Sequence, residues 1–267
     1  MIKGTKGTDE TKEIELGQFF LENQEFFKKI VDLAAVQPGE VVLEIGAGDG
    51  RMTKLLAEKT KRVIAVEIDK EFEKGLKKIS PRVEVVIEDI LKYLPLKKNT
   101  KFNKILGNLP STVVEPLFNG LHLINFEKCV FLIPEKFAYK LEKFPAVFLY
   151  HDFKLIEKVD KKSFKPVPRT NWEIVVITKK TDPLKTGNLS SFLQQFVFEH
   201  SDAKLKNSLM EALIRFSTFR GKNLTKNQAR KIVAKAKINP KLLESISVES
   251  SNYGVIIKSL SKLVFKD

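Results

Sequence analysis

The residues of this chain best placed to hold a small ligand stand at the ends of three successive apolar runs. The run Val41–Ile45 leads into Glu44-Ile45-Gly46-Ala47-Gly48-Asp49-Gly50. Glycines let the backbone turn sharply and approach a ligand where a side chain would clash. The third glycine comes one residue too early for the G-x-G-x-x-G pattern of a dinucleotide site. The run Arg62–Ile68 brings Glu67-Ile68-Asp69, and an acidic side chain there can accept from ribose hydroxyls. Val83–Ile87 is followed by Glu88-Asp89, and a carboxylate there can accept from an adenine amino group. One such residue alone reads equally well as a helix cap or a solvated loop end. Three in order predict an adenosine-type ligand.

A fourth run ends in Gly107-Asn108-Leu109-Pro110-Ser111, which resembles the Asn-x-Pro-aromatic motif of amino methyltransferases. The amino nitrogen of adenine is a poor nucleophile because its lone pair is delocalised into the ring. The Asn108 side-chain oxygen and the Leu109 carbonyl could both accept its N–H bonds and hold it in line with a methyl group. Pro110 stiffens the loop that aims the carbonyl.

These tips need a scaffold. The apolar runs Val41–Ile45, Arg62–Ile68, Val83–Ile87, Lys104–Leu106 and Cys129–Ile133 alternate with candidate helices at 51–59, 70–79, 112–122 and 135–143. That alternation predicts a parallel sheet covered on both faces. Lys154–Val159 and Glu173–Thr178, joined by Asp160–Thr170, predict an antiparallel hairpin at one end. An amphipathic helix is expected over 18–36. After Asp182 no strand is expected, and 189–200, 203–217, 225–236 and 240–246 read as helices. The expected division is therefore 1–182, with 1–12 as a mobile arm, and an all-helical domain at 183–267, linked near Thr181–Gly187.

Of the 267 residues, 47 are Lys or Arg and 33 are Asp or Glu, a net charge of +14. Residues 183–267 carry 15 basic and 6 acidic side chains, so +9 of that excess lies in the expected helical domain. A concentrated basic excess points to a polyanionic partner such as RNA or DNA. One cysteine, Cys129, excludes a disulfide framework and fits a reducing cytoplasm. With His122, His151 and His200 scattered, no metal-ligand spacing is present and no metal is expected. Met1–Glu15 lacks an apolar core, so no secretory signal is expected, and no 18-residue apolar stretch predicts a membrane span.

Taken together the chain resembles the KsgA-type ribosomal RNA adenine N6,N6-dimethyltransferases from Gly17 to about Phe265. Gly17-Gln18-Phe19-Phe20-Leu21 is similar to the family's opening motif, Val42–Gly48 to its cofactor loop, and Glu67-Ile68-Asp69, Glu88-Asp89 and Gly107–Pro110 follow in its order. Phe131–Ala138, Phe164-Lys165-Pro166-Val167-Pro168 and Phe192–Leu209 resemble later family segments. The resemblance implies a Rossmann-like α/β methyltransferase domain followed by a helical RNA-binding domain, and S-adenosyl-L-methionine as cofactor. It implies a cofactor site drawn from Gln18, Phe19, Leu21, Gly46, Gly48, Glu67, Asp89, Ile90 and Asn108. Catalysis would fall to Asn108, Leu109 and Pro110, and the target base to positions 111 and 164, where this chain has Ser111 and Phe164. The implied substrate is small-subunit ribosomal RNA in an assembling subunit, in the cytoplasm. Two positions depart from the family: Ser111 stands where an aromatic is usual, and Phe19 replaces an Asn or His. The segment between Lys143 and Phe148 is also short. A binding factor that assembles ribosomes without turnover is the alternative that Ser111 motivates. A small-molecule or DNA amino methyltransferase is a second alternative; the basic helical domain argues against the former, and competition by duplex DNA tests the latter.

Overall fold

The computed structural model describes residues 19–96 and 100–246. Gln18 and the arm at 1–12 lie outside the described residues. The chain divides into two units between Lys179 and Lys180.

The first unit opens with a two-residue strand, β1 (Phe20–Leu21), and the helix Gln24–Ala34. Strands β2 (Val41–Ile45), β3 (Arg62–Glu67), β4 (Val83–Ile87), β5 (Lys101–Asn108) and β6 (Asn125–Pro134) follow, then β7 (His151–Val159), the short β8 (Phe164–Lys165) and β9 (Trp172–Lys179). Seven of them form one sheet in the order β4-β3-β2-β5-β6-β9-β7. Strands β2 to β6 pair in parallel, whereas β9 is antiparallel to both β6 and β7. Successive side chains of a strand point to opposite faces. Leu43 and Ile45 accordingly join one apolar layer with Ile105, Phe118 and Phe131. Val42 joins the other, with Leu106, Val130, Ile30 and Leu56. Both faces are covered, so the central strands read as unbroken apolar runs.

The sheet order reverses at β2. The chain builds β2, β3 and β4 outward in one direction and then crosses back to lay β5 on the other side of β2. Ligands of such sheets bind in the crevice at the carboxyl ends of the strands at this reversal. The two strands crowd together there. A Cβ on Gly107 would lie 2.7 Å from the Ile45 carbonyl oxygen, so only glycine fits.

Several boundaries differ from the sequence reading. The first helix begins at Gln24, not 18, because the Asn23 side chain accepts the Glu25 N–H at 2.9 Å and caps it there. Phe20 and Leu21 leave the helical register to pair with Lys165 and Phe164. The connection between β7 and β9 is accordingly not a plain loop. Region 70–79 breaks into a 3-10 turn and the helix Glu73–Lys77, and region 135–143 is helical only over Glu135–Ala138 before a second 3-10 turn. Ile90–Leu96 and Pro145–Tyr150 are short helices that periodicity does not reveal, since each spans under two turns or contains proline.

The second unit contains the helices Pro183–Thr186, Leu189–Glu199, Leu205–Phe219, Lys226–Lys235 and Pro240–Glu244. Leu193, Phe196, Leu209, Leu213, Phe216, Ala229 and Val233 form its own core. Thr225 and Gln228 make a reciprocal capping box. Lys222, Lys226, Arg230, Lys231, Lys235 and Lys237 are all exposed. Among the described residues no helix is long and apolar enough to cross a membrane, and no group of His, Cys, Asp and Glu is arranged to hold a metal ion.

Candidate active site

The glycine turn after β2 is tied to β3. The Gly46 and Ala47 N–H groups donate to the Val66 carbonyl at 2.9 and 3.2 Å. Gly46, Gly48 and Gly50 have φ of 73°, 51° and 81°, a region that side-chain-bearing residues rarely occupy. The buried Glu67 carboxylate then locks the turn: one oxygen accepts the Gly48 N–H at 2.8 Å, the other the Asp69 N–H at 2.9 Å. Each oxygen retains a second lone pair. Glu67 thus lines the cleft and also fixes the turn that shapes it. Asp89 lines the same cleft and caps the helix Ile90–Leu96 by accepting the Leu91 N–H at 2.9 Å.

Asn108 closes the β5 side. Its Nδ2 donates to the Phe19 carbonyl at 2.9 Å. Only the amino end of a carboxamide can donate, so this bond fixes which way the side chain faces. Its Oδ1 is buried and has no hydrogen-bond partner. A buried acceptor left unpaired costs on the order of 1–3 kcal/mol. Such a group at the rim of a crevice is suited to an incoming N–H. The loop behind it is anchored by the Leu109 N–H, which donates to the Leu132 carbonyl at 2.9 Å.

The fold brings Phe19, Gly46, Glu67, Asp89, Ile90 and Asn108 to one cleft, with Pro110 beside them. It does not bring all the expected residues there. Leu21 is wholly buried in the apolar layer under the first helix. Gly48 sits beneath the Phe20 ring: a Cβ there would meet Phe20 Cε1 at 3.4 Å. The Leu109 side chain is wholly buried in the opposite layer. Ser111 is exposed at the start of the helix Ser111–Gly120 and does not line the cleft. Phe164 is 1% exposed and packs behind Trp172, ring centroids 4.9 Å apart. Strand β8 turns its first side chain inward, so Phe164 cannot face a base.

Sequence reasoning missed Trp172, Thr112 and Val113, which do line the cleft. The signal for Trp172 was present: it is the chain's single tryptophan, two residues before the β-branched run that begins at Ile174. Its approach to the cleft depends on the β6–β9 register, which pairs it with Pro134.

Replacing Glu67 with alanine is expected to weaken cofactor binding several-fold or more, since a charged acceptor and the turn's lock are lost together. Calorimetry that gave an unchanged affinity would remove Glu67 from the site.

The family described as ribosomal RNA adenine dimethylase matches residues 9–252. The protein named "Probable ribosomal RNA small subunit methyltransferase A" of Methanococcus aeolicus is 28% identical over 268 residues, covering 94% of this chain and 97% of its own. Its namesake in Methanococcus maripaludis strain C5 is 31% identical over 213 residues, 74% of this chain and 80% of its own. Among solved structures, a dimethyladenosine transferase from Plasmodium falciparum has a TM-score of 0.61 at 20% identity, covering 91% of this chain and 98% of its own. The 23S rRNA methyltransferase ErmE has a TM-score of 0.58 at 20% identity, covering 91% and 99%. At such identities these two likenesses carry the fold.

Proposed function

The chain belongs to the ribosomal RNA adenine dimethylase family, and from that premise we propose how its own residues carry the reaction. It is a methyltransferase that uses S-adenosylmethionine and acts on adenine in ribosomal RNA. The residues present fit that cofactor: a glycine turn that leaves room for close approach, and carboxylates at two strand tips. When bound, the cofactor supplies an electrophilic methyl group on a sulfonium centre. Gly46 lets the backbone approach its amino acid end, Glu67 accepts from its ribose hydroxyls, and Asp89 faces its adenine. Asn108 Oδ1 accepts one N–H of the target amine, and the Leu109 carbonyl accepts the other. Asn108 acts as a fixed dipole aimed at the nitrogen where positive charge develops. The observation that carries this assignment is the buried, unpartnered Oδ1 of Asn108 in a residue that lines the cleft.

The substrate we assign is small-subunit ribosomal RNA within an assembling subunit, met in the cytoplasm. The +9 of residues 183–267 supports a second unit that grips phosphates and helical shape, because the groove of duplex RNA offers little sequence to read. The test incubates labelled cofactor with small subunits that lack the modification. The full chain is expected to transfer label, with RNA affinity that falls steeply with salt. A chain ended at Asp182 is expected to bind that RNA at least about tenfold more weakly while keeping its cofactor affinity. Label transferred to large subunits alone overturns the substrate assignment. Equal RNA affinity of the shortened chain at every salt concentration overturns the role of the second unit.

A further inference from the structure

An adenine whose amino group reaches Asn108 Oδ1 has left its stack in the RNA, and a ring must replace that stack for the extruded state to persist. The loop after Pro110 offers none, because Ser111 is exposed and outside the cleft. Phe164 is 1% exposed behind Trp172. Phe20 also lines the cleft, but its ring lies over Gly48 and packs against Phe72 at 5.8 Å, on the side of the glycine turn. Phe19 remains. It is half-buried and lines the cleft, and its ring meets that of Trp172 edge-on at 6.1 Å. Trp172 is 2% exposed, so it serves as backing, not as the contact surface.

We propose that the Phe19 ring, held from behind by Trp172, is the platform on which the target adenine stacks, so that this chain takes its base on the segment before β1 and needs no ring after Pro110. The proposal rests on the assignment of the cleft to methyl transfer and names the residue that positions the substrate there. Phe19 also presents its carbonyl to Asn108 Nδ2 at 2.9 Å. One residue therefore carries the base platform in its side chain and orients the amine acceptor through its backbone. A displaced ring and a misaimed Oδ1 are the same event. The platform is continuous with the core: Phe164 packs on Trp172, Trp172 on Phe19, and β1 is paired to β8.

The test compares Phe19→Leu, which keeps the backbone carbonyl and most of the bulk but loses the π face, with Phe19→Tyr, which keeps both. Trp172, the single tryptophan, reports on the platform without any chemistry. With S-adenosylhomocysteine saturating the cofactor site, single-stranded oligoadenylate is expected to change Trp172 emission in the wild type and in Phe19→Tyr. In Phe19→Leu the affinity read this way is expected to fall about 5- to 100-fold, the range for losing one base–aromatic stack. Single-turnover methylation of unmodified small subunits at saturating cofactor should fall in parallel in Phe19→Leu and be retained in Phe19→Tyr. Oligoadenylate affinity and methylation both unchanged in Phe19→Leu overturn the platform. So does a variant whose only defect is weaker cofactor binding, since the ring then belongs to the cofactor. A wild type whose Trp172 responds while no methyl is transferred to any ribosomal RNA upholds the platform and overturns the methyl-transfer reading instead.

Discussion

Asn108→Ala is expected to lower the single-turnover rate of methylation, at saturating cofactor, by at least about 100-fold, which is about 2.7 kcal/mol of transition-state stabilisation. The adenine amine must rehybridise as it attacks, and its two N–H groups need acceptors that are already in place. Asn108 Oδ1 is buried and unpartnered, so it has no bond to give up when the amine arrives. Ground-state binding of RNA should change far less than the rate, because the proposed contacts of the second unit and of the Phe19 ring remain. Asn108→Asp separates aim from polarity. Its carboxylate keeps an acceptor but cannot donate to the Phe19 carbonyl, where the wild-type Nδ2 donates at 2.9 Å. Two acceptors then face each other, and the segment that carries Phe19 is expected to lift from β5. Asn108→Asp should therefore be nearly as slow as Asn108→Ala and also more weakly bound to RNA. A fully active Asn108→Ala would overturn the assignment.

Glu44→Gln is expected to stabilise the protein increasingly as pH rises, by about 5 kcal/mol at the upper end. Glu44 is the next-to-last residue of β2, beneath the glycine turn, and is 0% exposed. Burial pushes its pKa from 4.5 to about 8; the Thr53 hydroxyl opposes the rise, and the Glu67 and Asp49 carboxylates add to it. The folded protein thus holds a proton that the unfolded chain releases near pH 4.5. The stability this group contributes is complete below pH 4.5 and is lost as pH rises to about 8. A displacement of that size corresponds to about 5 kcal/mol at 1.36 kcal/mol per pH unit. Glutamine keeps the shape and does not titrate. Urea unfolding at pH 5, 7 and 9 should show a gap between variant and wild type that widens and then levels off. Parallel pH dependences would mean that Glu44 carries no such proton.

The parallel half of the sheet was legible because its central strands are buried on both faces and so read as apolar runs, and β2 to β5 carry the site residues at or just beyond their tips. Glu67, Asp89 and Asn108 follow one another in sequence at the carboxyl ends of β3, β4 and β5, the strands laid to either side of the reversal at β2. The aromatic wall was not legible in the same way. Whether Phe164 or Trp172 faces the cleft is set by the two-fold alternation of strands two and eight residues long, and a slip of one position exchanges inside for outside. Phe20 and Leu21 continue the apolar spacing of the helix that follows, and only the cap at Asn23 separates them from it. Their partners lie 145 positions along the chain, from Phe20 to Lys165, beyond the reach of local periodicity.

That long-range pairing has a consequence for how the protein is made. Joining chain ends so far apart carries a large loop-closure entropy, and contacts of this kind are slow to form. During synthesis, the ribosome releases the glycine turn and all three acidic or amide strand tips well before residues 164 and 172 emerge. The β1–β8 pairing and the Trp172 contact that hold Phe19 are thus among the last parts of the first unit to close. A nascent chain can pair its parallel strands early, yet on the proposed platform it gains a place for an extruded base only when nearly the whole first unit has left the exit tunnel.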